Sequence, residues 1–181
     1  MKKTFVLVRH LTTSWNRRKL IQGQTDIELD EGGKQEARTL AKKLQPLGIG
    51  CIVSSDLKRA SQTANIIAET LHVPVVLDKR LRECAFGTVE GLTRKQAVEQ
   101  YGDKILGAWN EQYDSYDFCE YGGENRKQVL ERHLSFLNDV PSMSSEKTVL
   151  LVGHGRGLNT LLASLGHPPT IKRSEYCIIE H

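Results

Sequence analysis

The sequence has no Cys-x-x-Cys pair, no long apolar run, no internal repeat and no low-complexity tract. Each absence removes a class of function. The four cysteines, Cys51, Cys84, Cys119 and Cys177, stand far apart. That spacing suits neither a zinc knuckle nor a dithiol redox centre. A chain of 181 residues can bury a core without disulfide staples, so they read as thiols in a reducing compartment. No stretch approaches the ~20 apolar residues needed to cross a bilayer. Between Met1-Lys2-Lys3-Thr4 and Arg9 lie only Phe5-Val6-Leu7-Val8, too few for the core of a signal peptide. The expectation is a soluble, cytoplasmic protein with no membrane partner.

Charge of one sign is scarce as well. There are 25 Lys and Arg against 22 Asp and Glu, a net charge of +3. The densest basic spots, Arg17-Arg18-Lys19 and Lys42-Lys43, read as a basic loop and a solvated helix face. Nucleic-acid binders show a stronger basic stripe, so no nucleic-acid partner is expected. A small anionic substrate would need only a few local arginines.

What is present is globular: 39% hydrophobic and 26% charged residues, with no linker. One domain over 1–181 is expected. Phe5-Val6-Leu7-Val8, Cys51-Ile52-Val53, Val75-Val76-Leu77 and Thr148 to Val152 are short apolar runs rich in β-branched residues. They read as buried strands of a parallel sheet. Tyr176-Cys177-Ile178-Ile179 reads as a last strand, shortened by the nearby end of the sequence. Helical spacing of apolar residues runs over Asp30–Leu47, Leu57–Leu71, Val129–Val140 and Gly157–Leu165. Alternation of this kind predicts an α/β three-layer sandwich, a mostly parallel sheet with helices on both faces. The less regular stretch at about 92–125 reads as a helical and loop insert over one end of the sheet. Its aromatics (Tyr101, Trp109, Tyr113, Tyr116 and Phe118) read as core somewhat more than as a substrate lid.

Sites in such sheets form beyond the carboxyl ends of the strands. The first strand runs into Arg9-His10, the second into Ser54 to Arg59, the third into Arg80-Leu81-Arg82-Glu83, and the fourth into Gly153-His154-Gly155. Taken alone, each has a bland explanation: a surface pair, a solvated acid, a tight turn. Their delivery to one end of one sheet suits phosphoryl transfer, which is mostly positioning and electrostatics. Arg9 and Arg59 would clamp phosphate oxygens. A neutral imidazole can serve as nucleophile, and an adjacent cation favours the neutral form. Glu83 could protonate a leaving alkoxide if its pKa is raised. No metal is required, and no carboxylate cluster offers to hold one.

The segment Val6 to Asn16, with Arg9-His10 and Trp15-Asn16, resembles the "RHGET-x-WN" signature of the histidine phosphatase superfamily, the phosphoglycerate-mutase-like fold. Gln22-Gly23-Gln24-Thr25-Asp26 resembles its "QG-x-x-D" loop, and Gly33 the glycine opening its first helix. Ser54 to Ala64 is similar to its second arginine segment, and Leu81 to Gly91 to its acid segment. Gly122-Gly123-Glu124-Asn125 resembles "GGES", and Val152-Gly153-His154-Gly155 the second histidine. The matches run in family order through nearly the whole chain.

The resemblance implies His10 as phosphohistidine nucleophile, Arg9, Arg59 and His154 as phosphoryl ligands, and Glu83 as proton donor. It implies substrate hydrogen bonds from Asn16, Gln22, Gly23 and the backbone at Gly155. It implies no cofactor. The partner would be a small phosphorylated metabolite of the sugar phosphate, phosphoserine or α-ribazole phosphate class, met by a monomer or homodimer. Phosphomonoesterase is the first reading. A cofactor-dependent phosphoglycerate mutase is the second, and a phosphate-binding module without turnover the third. Four positions depart from the pattern: Leu11 and Thr12 for Gly and Glu, Val89 for Trp, and Arg156 for a small or apolar residue. A side chain as bulky as Leu11 could narrow the pocket, but the four-residue core is expected to survive, because Leu in the β region costs little. Arg156 is either a substrate-reading cation or simply a first helical turn.

Overall fold

A computed structural model describes residues 2–109, 115–143 and 145–180. The strands are β1 (Thr4–Arg9), β2 (Cys51–Ser54), β3 (Val75–Leu77), β4 (Thr148–Gly153) and β5 (Tyr176–Glu180). They form one sheet in the order β3-β2-β4-β1-β5. The first four are mutually parallel, and β5 runs antiparallel to β1. The last strand is not cut short, for it pairs with β1 from Thr4 to Val8.

The helices are α1 (Ser14–Arg17), α2 (Glu31–Leu44), α3 (Lys58–Leu71), α4 (Arg94–Tyr101), α5 (Lys104–Trp109), α6 (Arg126–Met143) and α7 (Gly155–Ser164). Side-chain alternation along β1 explains the layers. Phe5 and Leu7 face α6 and α7, where Phe136, Leu158 and Leu161 meet them. Val6 and Val8 face α2 and α3, against Leu40, Ala41, Ala60 and Ala64. Each buried Leu or Val contributes about 1.5–3 kcal/mol of transfer free energy. The expected three-layer α/β sandwich is therefore what the chain forms.

Helix ends differ from the periodic pattern where capping intervenes. Asp30 caps α2 by accepting the Gly33 amide at 2.8 Å, and the helix gives way to a tighter turn at Gln45–Leu47, which holds Pro46. The unexpected short α1 starts from a capping box between Thr13 and Asn16. Helix α7 begins at Gly155, directly after His154, two residues earlier than its apolar spacing suggests. Residues 92–125 carry α4 and α5, and their aromatic side chains, with Phe86 and Val89, form a third apolar cluster. Trp109, Tyr116 and Phe118 are buried in that cluster and half-buried Tyr101 packs against it, so they act as core, although Trp109 also lines the same cavity as His10. Tyr113 lies outside the described residues.

Candidate active site

Parallel pairing of β1 with β4 sets Arg9 opposite Gly153. The next residues, His10 and His154, therefore leave the sheet side by side, with ring centroids 5.2 Å apart. Both rings are buried. His10 Nδ1 lies 2.8 Å from the Leu11 carbonyl oxygen. A carbonyl only accepts, so Nδ1 holds the proton and Nε2 carries the lone pair. Burial, then the Arg59 and Arg9 guanidiniums, push the His10 pKa well below the usual histidine value, so the ring is neutral at pH 7. His154 is depressed by burial and by the same cations. Its Nε2 lies 2.8 Å from Ser55 Oγ, and its Nδ1 is buried with no hydrogen-bond partner among the described residues.

Arg59 sits in the first turn of α3, just past β2. Its guanidinium donates to the carbonyl oxygens of Gly23 at 2.5 Å and Thr25 at 2.9 Å. Burial lowers its pKa to about 10, against the attraction of Glu83, Asp26 and Glu90, and it stays cationic at neutral pH. The loop it holds is clamped from the other side by Glu90. That carboxylate accepts from the amides of Gln24, Thr25 and Phe86 and from Thr25 Oγ1 at 2.6 Å. Gly23 has φ +52°, and a Cβ there would fall 2.0 Å from Glu90 Oε1. Only glycine satisfies both conditions.

Asn16 and Gln22 share Thr13. Asn16 Oδ1 accepts from the Thr13 amide at 3.1 Å, and the Thr13 hydroxyl reaches Gln22 Oε1 at 3.0 Å. Both amide oxygens are engaged, which leaves the amide nitrogens as donors, and both residues line the cavity. Glu83 follows the turn after β3. Its Oε1 accepts from the Cys84 and Gly157 amides, each at 3.0 Å, and its Oε2 from the Arg156 amide at 3.2 Å. The acid thus accepts the first free amides of α7, which tie its carboxyl group to the start of that helix. A Cβ on Gly155 would lie 2.9 Å from Arg9 Cζ, so glycine admits that guanidinium against the helix start.

These groups surround one cavity of about 690 Å³. Arg9, His10, Asn16, Gln22, Gly23, Arg59, Glu83 and Gly155 line it, and His154 packs against His10. Leu11 does not narrow it. Its side chain is fully buried among the β1, α2 and α3 residues, because alternation past His10 turns it into the core. Thr12 turns aside too, donating from Oγ1 to Glu36 Oε2 at 2.8 Å.

Several wall residues escaped the sequence reading. Arg18 and Lys19 stay exposed but rim the cavity, while Arg17 pairs with Asp30 at 2.6 Å. Arg94, Lys95 and Arg173 complete the rim, and Arg173 carried no signal of its own in the sequence. Arg156 lies in the first turn of α7 and also lines the cavity, its guanidinium 4.5 Å from the Tyr116 ring centroid. Among the described wall residues Glu83 is the one carboxylate, so the cavity is strongly cationic. Among the described residues no three His, Cys, Asp or Glu side chains gather to hold a metal ion. Nor is any described helix long and apolar enough to cross a membrane.

Two histidines and two arginines at the strand ends, with a carboxyl group lining the same cationic cavity, make a set suited to phosphoryl transfer. The chain belongs to the histidine phosphatase superfamily (branch 1), whose family model matches residues 5–175. Among its relatives is the 2,3-bisphosphoglycerate-dependent phosphoglycerate mutase of Haemophilus influenzae. The two are 35% identical over 185 aligned positions, covering 86% of this chain and 82% of that one. A mycobacterial glucosyl-3-phosphoglycerate phosphatase complexed with VO3 superposes with a TM-score of 0.83 at 29% identity, covering 97% of this chain and 90% of the other. A mutant phosphoserine phosphatase from Entamoeba histolytica, complexed with phosphoserine, superposes with a TM-score of 0.77 at 27% identity, covering 97% and 89%.

Proposed function

We propose that the protein is a metal-independent phosphomonoesterase that works through a phosphohistidine on His10. The observation that carries this reading is the state of His10: its Nδ1 bonds the Leu11 carbonyl, which leaves Nε2 as the lone pair, and burial with the Arg59 and Arg9 cations keeps the ring neutral. The Nε2 lone pair attacks phosphorus, and the ester P–O bond breaks. The leaving oxygen takes the proton of Glu83, held on Oε2, which has one amide contact against two on Oε1. Water then attacks the phosphohistidine, giving its proton back to Glu83, and the P–N bond breaks to release phosphate. Arg9, Arg59 and His154 neutralise and orient the equatorial oxygens, and Asn16, Gln22 and the backbone at Gly155 add donors.

The substrate in this reading is a small phosphorylated metabolite. Phosphatases on glucosyl-3-phosphoglycerate and phosphoserine are among the solved structures of similar length and fold. A second reading, a phosphoglycerate mutase, is favoured by the 35% identity to the Haemophilus enzyme. One experiment separates them. Wild type and His10→Ala are assayed in EDTA on an aryl phosphate, phosphoserine, sugar phosphates and 3-phosphoglycerate. Phosphate release that His10→Ala abolishes supports the phosphatase. Conversion of 3-phosphoglycerate only on addition of 2,3-bisphosphoglycerate, with no phosphate release, supports the mutase. Release by wild type only when metal is restored overturns metal independence.

A further inference from the structure

Arg132 lies on α6, outside the cavity, and its sequence context drew no attention. All three guanidinium nitrogens are engaged. Nη1 donates to the carbonyl oxygens of Arg80 at 2.8 Å and Arg82 at 2.6 Å. Nη2 donates to the Glu83 carbonyl oxygen and to Glu124 Oε2, each at 2.9 Å, and Nε to Glu124 Oε1 at 3.0 Å. Glu124 in turn accepts from the Ala85 amide at 2.9 Å. Gln24, from the loop gripped by Arg59, donates from Nε2 to the Glu83 carbonyl at 3.1 Å. The main chain is therefore held before, at and after Glu83.

We infer that Arg132 is a positioning residue for the Glu83 carboxyl, fixing the 80–85 turn so that the acid meets the leaving oxygen. The inference rests on the reading of Glu83 as proton donor. Arg132 does not itself line the cavity; the wall residue it bonds is Glu83, at the main-chain carbonyl of the acid it would position. Its planar fork serves three carbonyls and a bidentate carboxylate at once. A lysine, with one ammonium on a flexible stem, cannot reproduce that geometry. Misplacing a catalytic group by about 1 Å is enough to cost ~10²-fold in rate.

A general acid matters only when the leaving group needs a proton, and this distinguishes positioning from mere support. The test compares kcat/KM for an alkyl phosphomonoester with that for 2,4-dinitrophenyl phosphate, whose leaving group departs as an anion. Variants are Arg132→Lys, Arg132→Met and, as reference, Glu83→Gln. The expected result is a loss of about 10–100-fold on the alkyl ester in both Arg132 variants, with the dinitrophenyl ester within about threefold of wild type. Glu83→Gln gives the same selectivity, larger. Equal losses on both esters in the Arg132 variants, with selectivity kept in Glu83→Gln, overturn the inference and leave the acid's role intact. No selectivity in Glu83→Gln overturns the acid reading, and the inference with it. If neither Arg132 variant folds, Glu124→Gln replaces them. The same selectivity at smaller size supports the inference, and unchanged or equally reduced rates on both esters overturn it.

Discussion

Ser55 Oγ lies 2.8 Å from His154 Nε2, while it also accepts the Leu57 amide at 3.3 Å. Given its neutral ring, His154 can donate to phosphate through Nδ1 only if Nε2 acts as acceptor, and the Ser55 hydroxyl proton supplies that arrangement. Ser55→Ala removes the tautomer control and leaves the fold nearly intact, at a cost of about 1 kcal/mol. The expected outcome is a fall in kcat/KM of about tenfold, with weaker inhibition by inorganic phosphate. Steady-state kinetics with phosphate as product inhibitor checks it.

Leu11 separates two accounts of the pocket. Were it a wall residue, trimming it would open the site. It is core, so Leu11→Ala costs about 2–5 kcal/mol of stability. Urea unfolding reads that loss directly. KM for an aryl phosphate should stay within about twofold of wild type, since the cavity wall is untouched.

Three buried histidines govern acid stability. Burial, then Arg132, pushes His133 down to about 3, and His10 and His154 are lowered by burial first and by nearby cations. Below pH 6.5 the unfolded chain takes up protons that the folded chain refuses. Their contribution is therefore fully present above the unfolded value and is lost as pH falls below it. The loss is about 1.4 kcal/mol per pH unit for each histidine, until the folded value is reached. The urea midpoint should fall between pH 7.5 and pH 5.5, and a flat midpoint would contradict the neutral rings. The same depression predicts that kcat/KM keeps its value below pH 6.5 as far as His10 controls it.

The rim cations predict substrate choice. Arg18 and Lys19 stand at the mouth of the cavity, exposed to water. Replacing both by Gln should raise KM for a phosphomonoester bearing a second anionic group by about 3–10-fold, and less for an aryl phosphate, with kcat kept. Added salt should shrink the difference, because exposed charges are screened.

The sheet and its flanking helices were legible because apolar runs and helical spacing are local signals. The two His-bearing turns were legible because each directly follows a strand, and Glu83 because it follows the short turn after β3. Glu90 and Arg132 were not. Their partners lie far away in sequence, at Thr25 and Arg80, and only the closed fold brings them together. The early start of α7 was hidden for a related reason. Gly153-His154-Gly155 reads locally as a turn, and the contact that reveals a helix N-terminus is the Glu83 carboxyl. The place of Leu11 was not legible because sequence shows the size of a side chain but not the face of the chain it takes; buried in the core, it leaves the pocket clear.

The most direct test of the central claim is the intermediate itself. Wild type is mixed with substrate, quenched within milliseconds in alkali, digested and analysed by mass spectrometry. The account predicts phosphate on His10, absent from His10→Ala and accumulating in Glu83→Gln with an activated aryl phosphate. Sustained phosphate release with no phosphorylated His10, or a phosphoryl group carried on another residue, would contradict it.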